Sequence, residues 1–176
     1  MKTTILLIVL SVLSMFLSCC SKLFPDEKLT LQRRDYAGNE LRIDGYYYNV
    51  NYNVISIYFL YRNGIILYGY SYPNLNLDEI ELKMLNNDMY NNSYNKSKAN
   101  WGVFIINEES IKIEKWEPST GIGLPVYIRE GNILNDTTFH ITLSYDPKGS
   151  NKSILNELYH FKKFAPKPDS TNVYIK

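Results

Sequence analysis

Few residues in this 176-residue chain combine a reactive side chain with a spacing that suits chemistry. His140 and His160 are its two histidines. A hairpin centred near residue 150 would set them opposite each other on one face of two antiparallel strands. With a carboxylate such as Glu157 or Asp136 beside them, they would form a two-histidine metal site. The plainer reading is two solvated polar positions on alternating strands. Asp44, Glu114, Glu130 and Asp136 are scattered along the chain. A glycosidase needs a facing pair roughly 5 to 10 Å apart, and acids spread this way read as charged outer strand faces. No Gly-x-Ser-x-Gly elbow is present. Gly121 and Gly123 precede neither a lysine nor a helix, so they do not form a phosphate loop. Cys19 and Cys20 are the only cysteines. Everything after them lacks a thiol nucleophile, a thiolate metal site and an internal disulfide. The expectation is a non-catalytic chain without a cofactor.

The cysteines stand at the end of an export-type leader. Met1-Lys2 carries positive charge, and Ile5 to Leu17 is an apolar run broken only by Ser11 and Ser14. Such a run is short for a bilayer core, which needs about 20 helical residues, but it fits a signal h-region. Phe16-Leu17-Ser18-Cys19-Cys20 resembles the lipobox of bacterial lipoprotein precursors. That resemblance implies a signal peptide over residues 1–18, cut by a signal peptidase of the lipoprotein type. Cys19, or alternatively Cys20, would then carry a diacylglycerol thioether and an acylated amino group, palmitate among the expected chains. Cys19 follows the small Ser18, whereas Cys20 has Leu17 three residues upstream. Several acyl chains, each worth ~0.8 kcal/mol per buried CH2, make a stable anchor where one would not. No aspartate follows the cysteines, which within the family points to the outer membrane.

Past the leader, about 155 residues remain, the length of one domain. The 19 basic and 18 acidic residues balance, which argues against nucleic acid as a partner. Residues 19–40 are polar, contain Pro25, and show no periodicity that asks them to pack. They read as a lipidated N-terminus and tether, ahead of a single β-rich domain over residues 41–176.

That domain reads mostly as strands. Asn63-Gly64, between two apolar and aromatic runs, suits a two-residue type I′ hairpin. It would pair Leu60 with Leu67 and Phe59 with Tyr68. Residues 78–90 form the one helix candidate, with Asp78 as cap and Leu77, Ile80 and Met84 on an apolar stripe. Gly131-Asn132 reads as a turn. Beyond it Phe139, Ile141 and Leu143 alternate with Thr138, His140 and Thr142. The count is about eight hairpin-connected strands. It argues for an antiparallel meander closed or nearly closed into a barrel, with a β-sandwich as the alternative. The inserted helix could plug one end.

Gly45-Tyr46-Tyr47, Gly131-Asn132-Ile133 ahead of a Thr-Thr-Phe strand, and Phe161 through Asp169 together resemble small lipocalin-like domains of bacterial lipoproteins. Tyr47 stands where the lipocalin Gly-x-Trp signature has tryptophan. The resemblance implies a lipid-anchored envelope protein that binds a small apolar ligand or an envelope partner. The alternative is an accessory or inhibitor protein whose filled barrel acts through its surface.

Overall fold

The computed structural model describes residues 25–86, 96–120 and 123–176. The leader, Cys19, Cys20 and the far end of the expected helix lie outside the described residues. Eight strands follow in order: β1 (Gly45–Asn51), β2 (Val54–Leu60), β3 (Ile65–Pro73), β4 (Trp101–Asn107), β5 (Ser110–Trp116), β6 (Val126–Asn135), β7 (Thr138–Tyr145) and β8 (Ser153–Lys163). Each pairs antiparallel with the next. β8 returns to β1 through Tyr47↔Phe161 and Tyr48↔His160, so the sheet is a closed barrel rather than a sandwich. Closure leaves no free sheet edge.

Strand alternation sorts the apolar side chains into two cores. Tyr47, Tyr58, Ile66, Phe104, Ile113 and Phe139 meet inside the barrel. Tyr46, Phe59, Leu67, Trp101 and Trp116 point outward yet are equally buried. Three segments cover them. The first is helix α1 (Leu77–Asn86), which seats Ile80 and Met84 on the outer wall. Its cap is Asn76 rather than Asp78: Asn76 Oδ1 accepts from the Glu79 amide at 2.9 Å, and Glu79 Oε2 accepts from the Asn76 amide at 2.8 Å. Leu82 and Leu85 are exposed. The helix therefore lies against the barrel's flank and plugs neither end.

The second cover is the stretch expected to be a tether. The Glu27 amide donates to the Leu124 carbonyl at 3.0 Å, and the Trp116 indole donates to the Glu27 carbonyl at 2.7 Å. Further along, Glu114 accepts from the Thr30 amide, the Thr30 hydroxyl and the Leu31 amide at 2.7 to 2.9 Å. Tyr36 and Leu41 then close the lower end of the barrel, the Tyr36 ring edge-on to Phe104 at 5.6 Å. Residues 26–44 are thus a strap and a plug. Each contact is an isolated hydrogen bond or ring, so no hydrophobic period announces it. Glu114, expected on a charged outer face, is fully buried beneath this strap.

The third cover is the C-terminal tail. Lys167 Nζ donates to the Ile43 and Leu60 carbonyls at 2.7 Å each and sits 4.3 Å above the Tyr61 ring. The tail then climbs the flank until the Tyr174 hydroxyl donates to the Lys96 carbonyl.

Two glycines explain where the expected register fails. In the β2–β3 turn Gly64 alone takes a positive φ, 73°, and Asn63 does not, so the turn is not type I′. The loop is longer, and Phe59 pairs with Leu67 and Leu60 with Ile66, one step from expectation. A Cβ on Gly64 would also lie 2.1 Å from the Arg34 carbonyl oxygen of the strap. Gly131 is no turn. It sits in a β-bulge within β6, where a Cβ would lie 1.9 Å from the His140 carbonyl oxygen. The actual turn is at residues 135–138. A second bulge between Ile141 and Leu143 breaks the alternation of β7: Phe139 and Ile141 are buried inside, but Leu143 is only half-buried.

Glu114→Ala removes every acceptor for the Thr30–Leu31 amides. It should lower unfolding free energy by about 3 kcal/mol and speed tryptic cleavage at Arg33-Arg34. Denaturant titration and timed proteolysis check both effects. Burial pushes Lys167 down to about 8 from its ordinary value of 10.5. The folded chain therefore sheds this proton before the unfolded chain does, and stability should rise as pH climbs from about 8 toward 10.5. The rise, on the order of 2 kcal/mol, should be missing from Lys167→Met when melting curves are compared across that range.

Candidate functional site

Inside the barrel the inward aromatic residues of β7, β8, β1, β2 and β3 form a continuous column of ring contacts from strand to strand. Phe161 meets Tyr47 at 5.4 Å, Tyr47 meets Phe139 at 5.0 Å, and Phe139 stacks on Tyr159 at 4.9 Å and 12°. Tyr159 meets Tyr58 at 5.2 Å, and Tyr58 meets Tyr68 at 5.3 Å. A cation caps each end: the Arg42 guanidinium 4.5 Å from the Phe161 ring, and Lys115 Nζ 4.7 Å from the Tyr68 ring. This column occupies the space where an eight-stranded barrel could hold one small ligand.

At the upper end the column gives way to buried charge. Lys115 Nζ lies 2.9 Å from Glu117 Oε2, and Arg129 bridges Glu117 at 3.3 Å and Glu157 at 2.9 Å. The Tyr159 hydroxyl donates to Glu157 at 3.2 Å. Two cations and two carboxylates balance, as burial of charge requires. Burial pushes Lys115 below its ordinary value, and the neighbouring Glu117 opposes that shift. Burial likewise raises Tyr58 and Tyr159, so both stay protonated. Among the described residues the Tyr58 hydroxyl and Arg129 Nε have no hydrogen-bond partner. The network supplies orientation and charge balance.

Above it lies a pocket of about 530 Å³, floored by Tyr68 and Glu117 and walled by Ala99, Asn100, Pro118 and Leu124. It opens where β3 and β4 diverge, since they pair over only three residues, Ile65 to Leu67 with Val103 to Trp101. A wider cleft of about 870 Å³ separates α1 from the β1–β2 turn, with Val50, Tyr52 and Asn53 on one side and Leu75 and Leu77 on the other. Tyr52, at φ 53°, is 95% exposed there.

The residues singled out from sequence fall elsewhere. His140 pairs with Leu158 and His160 with Thr138, so the histidines share a face but sit one step apart along the strands. The hairpin centres at residue 149 rather than 150, which offsets them. His140 Nε2 is 2.7 Å from Asn156 Oδ1, and His160 packs on the Tyr48 ring at 5.9 Å. No group of three metal-ligating side chains occurs among the described residues. Asp44 pairs with Arg42, Glu130 takes Lys112 and the Tyr145 hydroxyl, and Asp136 lies at the β6–β7 turn. Glu157, offered as a metal ligand, belongs to the interior network.

That network was missed because lysine, arginine and glutamate read as surface. One signal was available: Lys115 continues the inward series Ile111, Ile113 on β5. No family model matches this chain, and no curated protein or solved structure is detectably similar to it.

Leaving a buried hydroxyl unpaired costs about 1 to 3 kcal/mol. Tyr58→Phe should therefore melt at or above the temperature of the native protein. Glu157→Gln, which leaves Arg129 short of a counter-charge, should lose about 3 kcal/mol. Calorimetry of the two variants separates them, and a destabilised Tyr58→Phe would contradict the assignment.

Proposed function

We propose that this chain is a lipid-anchored lipoprotein of the cell envelope, a non-catalytic binding protein that works through its outer surface. The observation that carries the reading is the ring column. Phe161, Tyr47, Phe139, Tyr159, Tyr58 and Tyr68 touch in succession inside the barrel, where a lipocalin-like protein would keep an apolar ligand. This favours the filled-barrel reading over enclosure of a small apolar molecule. An envelope partner is then met from outside, and the cleft beside α1, with Tyr52 exposed, offers it a concave surface.

The anchor rests on Phe16-Leu17-Ser18-Cys19-Cys20 behind its apolar run. Among the described residues no helix is long and apolar enough to cross a membrane. Acylation at Cys19 or Cys20 would hold the barrel at the bilayer, the outer membrane being the expected one, without a span.

Native mass spectrometry of the mature protein, extracted from its host's envelope fraction, tests both halves. The expected spectrum shows an acyl mass that survives denaturation and maps to the N-terminal peptide, with no further mass bound to the barrel. A discrete excess that vanishes on denaturation would contradict surface action. An unmodified N-terminal peptide would contradict the anchor.

A further inference from the structure

Where the strap begins decides how an anchored barrel can stand. Asp26 is fixed at the upper rim: its carboxylate takes Lys98 Nζ at 2.8 Å and the Leu124 amide at 2.9 Å. Glu27 is held there as well, its carboxylate accepting from the Val126 amide at 2.8 Å. Only seven peptide units join Cys19 to Asp26. Even fully extended they span at most about 25 Å. A barrel with strands of this length and ordinary tilt is itself about 20 to 25 Å tall. At full stretch the anchor just spans the height of the barrel, so any shorter leash leaves the upper rim and the strap-bearing flank as the parts nearest the bilayer.

That flank carries a cleft of about 410 Å³ between the strap and the C-terminal tail. Its wall is apolar, with Leu29, Val103 and Ile175, and Lys28, Arg33 and Lys98 surround it. The two acids beside them are already engaged, Asp26 by Lys98 and Leu124 and Glu27 by Val126. Lys28 and Arg33 are exposed and make no ion pair among the described residues. An apolar wall edged by uncompensated cations complements one thing a short leash brings close, an anionic headgroup with the start of its acyl chain.

We infer that the barrel lies against its membrane by this flank, with the strap–tail cleft seated on anionic phospholipid. The inference rests on the lipid-anchor reading. It leaves the β7–β8 side, with Ile154 91% exposed, turned away from the bilayer.

Lysine acetylation footprinting tests it on the mature protein reconstituted in vesicles of phosphatidylcholine, with and without phosphatidylglycerol. Adding phosphatidylglycerol should slow modification of Lys28 and Lys176 by at least about five-fold, the effect of one charge near such a surface. Lys148 and Lys152, in the β7–β8 loop, should react as before. Lys28→Gln combined with Arg33→Gln should return Lys176 to its phosphatidylcholine rate. Protection of Lys148 and Lys152 instead, or equal rates in both lipids, would overturn the inference while the anchor stands. Absence of the acyl mass from the N-terminal peptide would remove the anchor, and this orientation with it.

Discussion

The column of rings from Phe161 to Tyr68 is the constraint on which the rest of the structure depends. A closed eight-stranded sheet encloses a space that must be filled or hydrated. Here large inward side chains from five successive strands, β7 through β3, fill it by touching one another. Tyrosine does most of this work, and its hydroxyl decides where polar partners must follow. Tyr159 ends on Glu157, Glu157 draws in Arg129, and Arg129 draws in Glu117 and Lys115. The charged upper end thus meets the ring column through the Tyr159 hydroxyl and the Lys115 ammonium over Tyr68. At the lower end the same need is met from outside, where Tyr36 and Leu41 cover the last rings and Arg42 lies over Phe161.

The outer layer follows from a second imbalance. Tyr46, Phe59, Leu67, Trp101 and Trp116 would face water on a bare barrel. Strap, helix and tail bury them instead, so one flank of the sheet is covered on both faces and reads in sequence as nearly continuous apolar runs. The strap is held by Glu114, whose burial is offset by several amide and hydroxyl donors. The tail is held by Lys167, whose charge faces two carbonyls and a ring without a carboxylate in contact. From Asp26 onward the strap is thus joined firmly to the barrel.

The strands, their number and their meander order were legible because period-2 alternation and turn residues mark them well. Register was not. A single αL residue at Gly64 shifted one hairpin, and the bulge at Gly131 imitated a turn, since glycine serves both uses. The strap was illegible for a different reason. Its contacts are backbone hydrogen bonds to side chains some 84 positions away, which leave no local pattern. The interior charges failed on residue type alone, and only their strand phase, with Lys115 two places after Ile113, gave them away. The histidines misled by near-symmetry: a hairpin centre one residue early separates two positions that a count from the sequence sets face to face.

The claim that bears most weight is that the barrel axis is occupied by protein, so that binding belongs to the surface. A crystal of the mature domain pressurised with xenon tests it most directly, because xenon enters dry apolar cavities and reports their position. The account predicts no xenon along the line from Phe161 to Tyr68. Xenon bound among Tyr47, Phe139 and Tyr58 would reveal room for an apolar ligand and contradict it.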